Sequence, residues 1–398
     1  MMKRKTIAFL IGLVLCAGCA VGVTQDAGNE ELSPDQSSLY SATDTAAFDA
    51  GQFAFTYEGV GGHVLWKDAP LDDQIAIPKD LSERAGLSEQ NLYYDHLMFL
   101  DHGRFVAFEG WDRDDYTLFG RYLFDIELND FVQFPAQMEI IGWNEVSGRL
   151  ILGDRQEECS LEDILSMDPV ARPPSDYILY EYDLETERLT ETDRLFIDDY
   201  EFNFSLQTGD HLSLQFQKCP ACNFECVQNK KIYLYGSGQS YDYPAYFPQD
   251  STRSLVKIVI SPQAEHAIFI SYNIYDPVTS GLMVGDINGS SFTEIYREEG
   301  WEVRDAKWSG DGRSIAFLLQ TTDLENRIKK VMVISTDGTD AMLLSERDPV
   351  LMGWNGDEYV VFQEENRDIS MINVFSTDGS YMDFLEIQSD QVVWSEKP

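Results

Sequence analysis

Four cysteines have the type and spacing to do chemistry: Cys159, Cys219, Cys222 and Cys226. The last three lie in KCPACNFEC, whose Cys-x-x-Cys spacing is that of half a zinc site. Three chemistries suit the set: two disulfides, one four-cysteine zinc centre, or free and redox-active thiols. In an oxidising compartment disulfides are the default. Each bridge would restrict the unfolded chain and typically stabilise by about 2–4 kcal/mol. Any two-bridge pattern joins Cys159 to one member of the cluster and pairs the other two.

Aromatic and acidic side chains form a second candidate set. EGWDRDDYTLFG carries Trp111, Asp112, Asp114, Asp115 and Tyr116, and SYNIYDPVTSG carries Tyr272, Tyr275 and Asp276. QTTDLENR adds Asp323 and Glu325. Aromatic platforms with carboxylates suit a cationic, peptide or sugar ligand. DRDD offers carboxylate oxygens for calcium but lacks the spacing and glycine of a calcium loop. Plain solvated loops would also look like this. Of the five histidines, His63, His96, His102, His211 and His266, His102 and His211 fall in turns before second strands and His266 at the start of one, which reads as exposed turn residues. No Gly-x-Ser-x-Gly elbow, His-Glu-x-x-His pair or phosphate-cradling glycine loop occurs in these 398 residues. The expectation is no cofactor, with zinc at the cysteines or calcium at the acidic loops as the metal alternatives.

These residues must be held by a repeat. WSGDGRSIAF (308–317) puts a bulky ring before a tight polar turn and then an apolar run. MGWNGDEYVVF (352–362) and IGWNEVSGRLIL (141–152) repeat the order, and weaker copies start at Phe99, Phe204 and Ile260. Each copy leads to a further strand of alternating character ending in an Asp, Asn or Gly turn, as in KVMVISTDGTD and MINVFSTDGSY. WSGDGRSIAF resembles the repeat of TolB-type β-propellers, with Gly310 where that family usually has Pro. The resemblance implies an all-β fold of four-stranded blades around an axis. Six units start near Tyr94, Glu139, Glu201, Leu255, Val303 and Asp348. DQVVWSEKP at one end has an inner strand without successors, and AGQFAFTYEG with GGHVLWKD at the other has successors without an inner strand. Joined, they predict a seven-bladed propeller closed by pairing of the N- and C-terminal strands, with six blades as the alternative. The long insertions holding Cys159 and the Cys219–Cys226 cluster fall between second and third strands of adjacent blades, so they emerge on one rim.

The N-terminus carries Lys3, Arg4 and Lys5, a short apolar run, and then LCAGCA. Small residues before Cys19 resemble the lipobox of bacterial lipoproteins, with Cys16 where that family usually has Leu. The resemblance implies a signal peptide at 1–18 and lipidation at Cys19; ordinary cleavage after Ala20 is the alternative. Residues 19–47 are small, polar and acidic and read as a flexible tether, which leaves 48–398 as the propeller domain. The charge balance, 29 basic against 69 acidic residues for a net −40, repels nucleic acid and anionic lipid. The expected protein is exported and faces the periplasm or cell exterior, with the membrane reached only through the lipid. It is a binding or scaffold module for another envelope protein, a peptide or a glycan. A hydrolase or lyase with its active site at the channel mouth, or a purely structural envelope component, are the alternatives. The propeller fold itself does not choose among them.

Overall fold

In a computed structural model the described residues are 52–56, 62–66, 75–76, 92–112, 117–128, 130–155, 176–196, 200–208, 211–218, 229–247, 250–273, 279–323, 327–366, 369–387 and 391–395. They are almost wholly β-structure, in a unit that spans 48–398. Cys19, Cys159, Cys219, Cys222, Cys226, Asp114, Asp115, Tyr116, Tyr275, Asp276 and Glu325 lie outside them.

The fold is a β-propeller. Six antiparallel sheets are each built from one contiguous stretch: blade I (92–134), blade II (138–196), blade III (200–243), blade IV (246–297), blade V (301–345) and blade VI (349–387). Their inner strands are Leu92–Leu100, Met138–Asn144, Tyr200–Thr208, Asp250–Ile260, Trp301–Trp308 and Pro349–Asn355. A further four-stranded sheet joins the two ends of the unit. In it Gln391–Ser395 pairs with Gln52–Thr56, placing Phe53 opposite Trp394 and Phe55 opposite Val392. Blade IV departs from the four-strand expectation. Tyr246–Phe247 folds back as a fifth strand on the free edge of its inner strand.

The core lies between the faces of neighbouring blades. Ile268, Ile270 and Leu282 of blade IV pack with Ala306, Trp308, Ile315 and Phe317 of blade V. Leu318 and Val331 of blade V pack with Leu351, Trp354 and Phe362 of blade VI. Second strands are buried on both faces and read as continuous apolar runs; Ile315 to Leu319 in SIAFLLQT are all at or below 8% exposure. The turn before that strand is tied by Ser309, whose hydroxyl donates to Asp311 at 2.8 Å and accepts from the Ser314 amide at 2.9 Å. Gly312 takes φ +70° there, which a side chain would disfavour.

Each inner strand of blades I to VI carries a register shift at its middle: between Asp95 and Met98, Ile140 and Gly142, Phe202 and Phe204, Leu255 and Lys257, Val303 and Asp305, and Leu351 and Gly353. A bulge bends the strand and re-aims the side chain beside it. The repeated bulge therefore sets which side chains face the interior of the ring, and it governs the site below.

Candidate functional site

A cavity of about 490 Å³ opens among the inner strands of blades I, II and III. Its polar lining is His96, Glu109, Arg121, Glu139, Asn203 and Ser205; its apolar lining is Leu97, Met98, Ala107, Phe108, Ile140, Phe202 and Phe204. A pocket of this size, mostly apolar with a few convergent polar groups, suits a small ligand or the end of a larger one.

Blade I builds one wall. Glu109 and Arg121 face each other across adjacent strands as a Cα pair, and Arg121 Nε donates to Glu109 Oε1 at 2.8 Å. Both side chains are about 15% exposed or less. His96 lies at the bulge with φ +52°, and its Nδ1 stands 2.9 Å from Glu109 Oε2. Trp111 Nε1 donates to the same oxygen at 3.2 Å. A further bond runs from Arg121 Nη1 to the Ala136 carbonyl, in the connection to blade II. Glu109 is thus held by three side chains at once. Burial works to raise its pKa, but the His96 hydrogen bond and the Arg121 charge bring it below the ordinary glutamate range. The Glu109 hydrogen bond, with the carboxylate charge behind it, raises the His96 pKa above its ordinary value.

Blades II and III build the opposite wall. Glu139 accepts a hydrogen bond from the Tyr177 hydroxyl at 2.6 Å. Tyr177 comes from the third strand of blade II, so its side chain must cross the second strand to reach the inner one. It crosses at Gly153, the residue paired with Glu139. A Cβ on Gly153 would stand 2.1 Å from the Tyr177 hydroxyl oxygen, so only glycine leaves the passage open. The Tyr177 ring is fully buried and stacks on Phe202 of blade III, centroids 5.3 Å apart and 16° from parallel. One tyrosine therefore orients the Glu139 carboxylate and backs the aromatic wall. Among the described residues Glu139 has no cationic partner, whereas the Glu109 charge is balanced by Arg121.

The residues expected from sequence fall mostly elsewhere. Trp111 and Asp112 end the second strand of blade I, and Trp111 reaches the cavity wall through Glu109. Tyr272 is the last residue but one of the second strand of blade IV; burial and the neighbouring Glu302 raise its pKa. Glu302 in turn pairs with Arg304 at 2.6 Å. No contact joins Trp111 to Tyr272 among the described residues. His102 and His266 are exposed and stand near Glu145 and Asp286; His211 is half-buried at the start of its strand. Among the described residues no group of three or more His, Cys, Asp or Glu is placed to hold a metal, and no helix is long and apolar enough to cross a membrane. Glu109, Arg121, Glu139, Tyr177 and Phe202 were not singled out from sequence. They come from different strands and meet only through sheet register.

No protein-family model matches the chain, and no curated protein matches it. Solved structures do. A structure from a study of two prolyl endopeptidases is similar at a TM-score of 0.58 and 11% identity, over 88% of this chain and 50% of that one. An oligogalacturonate lyase in complex with manganese is similar at 0.50 and 11%, over 84% and 85%. TolB from Acinetobacter baumannii aligns at 0.44 and 12%, over 88% and 68%. The chain spans half the length of the prolyl endopeptidase structure it matches. These likenesses are to proteins with different activities, and what they share with this chain is the β-propeller fold.

Proposed function

We propose that this protein is an exported, lipid-anchored β-propeller that binds an extended peptide segment of another envelope protein in its interior cavity. The anchor at Cys19 and the tether to residue 47 rest on the lipobox and the composition that follows it. The sheet made from both chain ends supports a closed, seven-bladed ring spanning 48–398, since pairing the last edge removes an exposed strand. The proposed cysteine chemistry is two disulfides, one joining Cys159 in the blade II insertion to the Cys219, Cys222 and Cys226 cluster of blade III and one within that cluster.

The observation that carries the binding reading is the two-sided cavity. One wall presents a donor in Arg121, and the other presents an acceptor in Glu139 beside the aromatic lining of Phe202 and Phe204. A peptide offers carbonyl oxygens, amide hydrogens and apolar side chains in the same order. The endopeptidase named among the similar structures acts on peptides, which agrees in kind. A polyacidic sugar such as oligogalacturonate, the lyase's substrate by its name, would meet a chain of net charge −40. The loops holding Trp111, Asp112, Asp114, Asp115, Tyr116, Tyr272, Tyr275 and Asp276 are the proposed outer contacts.

The test is capture. The mature chain is used as bait in detergent-solubilised envelopes, beside a Phe202→Ala variant that empties the cavity wall. A defined partner retained by the parent and lost by the variant supports the reading. Equal retention by both removes it.

A further inference from the structure

The two walls differ in charge, and the difference selects a ligand group. Glu109 is saturated: Arg121 Nε, His96 Nδ1 and Trp111 Nε1 all lie on its oxygens, and its charge is matched by Arg121. Glu139 has only the Tyr177 hydroxyl among the described residues. A hydroxyl orients a carboxylate without neutralising it. The cavity with His96 neutral therefore holds one unmatched negative charge, inside a chain that is itself strongly acidic. A carboxylate guest would meet repulsion from both; an ammonium guest meets attraction from both.

The donor opposite narrows the choice. Arg121 Nη2 has no hydrogen-bond partner among the described residues, and the arginine lines the cavity; with His96 neutral and its Nδ1–H on Glu109, the histidine Nε2 carries no proton to donate. Arg121 suits a neutral acceptor, because Glu109 already balances its charge. A group with an ammonium followed closely by a carbonyl oxygen satisfies both walls, and an apolar first side chain would lie on Phe202. That group is the free amino terminus of a peptide.

We propose that the cavity is a recognition site for a free peptide amino terminus, with Glu139 binding the ammonium, Arg121 binding the first carbonyl, and Tyr177 acting as the positioning residue for Glu139. The proposal rests on the peptide-binding reading above and names the part of the peptide bound. A lysine side chain carries the same ammonium but no carbonyl beside it, so the test separates the two.

The experiment incubates the mature chain with two pools of random tetrapeptide amides, identical but for acetylation of the amino end. Retained peptides are read by mass spectrometry. Retention of the free pool at least about tenfold above the acetylated pool is expected, a ratio equal to about 1.4 kcal/mol. Glu139→Gln should abolish the preference. Tyr177→Phe should weaken it, and His266→Ala, distant on blade IV, should leave it intact. Equal retention of both pools, retention only of lysine-containing peptides whether acetylated or not, or no retention of either overturns the proposal. If both pools are held equally and Phe202→Ala releases both, the cavity binds peptides but not their ends. In that outcome the broader reading stands, and envelope capture tests it separately. Thermal midpoints of the variants guard against misfolding, and Glu139→Gln, nearly isosteric, keeps the proposal open to refutation if Tyr177→Phe fails to fold.

Discussion

Trp308 donates its indole Nε1–H to the carbonyl of Val259 at 2.9 Å, across the boundary between blades IV and V. Trp354 repeats the bond to Lys307 at 3.1 Å, between blades V and VI. In each case the acceptor directly precedes the residue that holds the tryptophan's place in the earlier blade, Ile260 or Trp308. The ring fills the wedge between blades while its one polar atom is satisfied by the neighbour's inner strand. Turns add a second link, where the Asp311 amide donates to Asp357 at 2.7 Å.

Trp308→Phe keeps an aromatic ring but leaves the buried Val259 carbonyl without its indole donor. A loss of about 1–3 kcal/mol is expected, the cost of an unsatisfied buried polar group. Trp308→Ala, which also opens a cavity, should cost about 3–5 kcal/mol. Urea midpoints check both; equal midpoints for parent and Trp308→Phe would show that the inter-blade bond contributes nothing.

Ala54 and Val393 are directly opposed in the sheet that joins the chain ends. Opposed antiparallel Cα atoms lie about 4.5–5.5 Å apart, within the roughly 4.4–6.8 Å that a disulfide spans. The double variant Ala54→Cys, Val393→Cys should form this cross-link on oxidation and gain stability, as peptide mapping and thermal midpoints would show. A chain that leaves both thiols free has its ends apart.

Gly153→Ala tests the passage that Tyr177 uses. The new methyl would collide with the tyrosine hydroxyl. Either the strands shift or Tyr177 leaves Glu139, at a cost of about 1–3 kcal/mol. Peptide binding should fall as in Tyr177→Phe. Unchanged binding in both variants would show that Tyr177 does not position Glu139.

The His96–Glu109 contact sets a pH dependence. The folded pKa of His96 is raised above its unfolded value, so the stability it contributes is present in mildly acid solution and is lost as pH rises through the folded pKa. The contribution is small, because His96 is 69% exposed. Binding should move the other way. Asp95, Glu109 and Arg121 surround His96, and Glu139 shares its cavity. A protonated His96 adds positive charge there, so an ammonium ligand should bind more weakly as pH falls through the raised pKa of His96. In His96→Ala that part of the weakening should disappear, as titration calorimetry at several pH values would show.

Much of the fold was legible because its repeat is written in side chains that do one job. Trp308 and Trp354, each before a glycine-containing turn and an apolar run, mark inner strands directly. Where the place is held by Leu100, Gln207 or Ile260, the mark fades, and those copies are weak. The fifth strand of blade IV had no such mark, since Tyr246 and Phe247 read equally well as a connection. The cavity was hidden for a different reason. Glu109 and Arg121 meet across two strands, Glu139 and Tyr177 across three, and His96 sits at a bulge. Spacing along the chain does not encode these meetings; register does. The loops rich in aromatics and acids drew attention by composition, and of them Trp111 alone touches the cavity wall among the described residues.

The most direct test of peptide binding inside the ring places a photoreactive benzoylphenylalanine at position 203. Asn203 is exposed, sits at the bulge of the blade III inner strand and lines the cavity. The same residue at Val146, a turn position 92% exposed, serves as the outside control. After irradiation of intact envelopes, cross-linked fragments are sequenced. The account predicts one partner peptide attached at position 203 and none at 146. Cross-links at 146 with none at 203 would place any binding on the outer surface and contradict it.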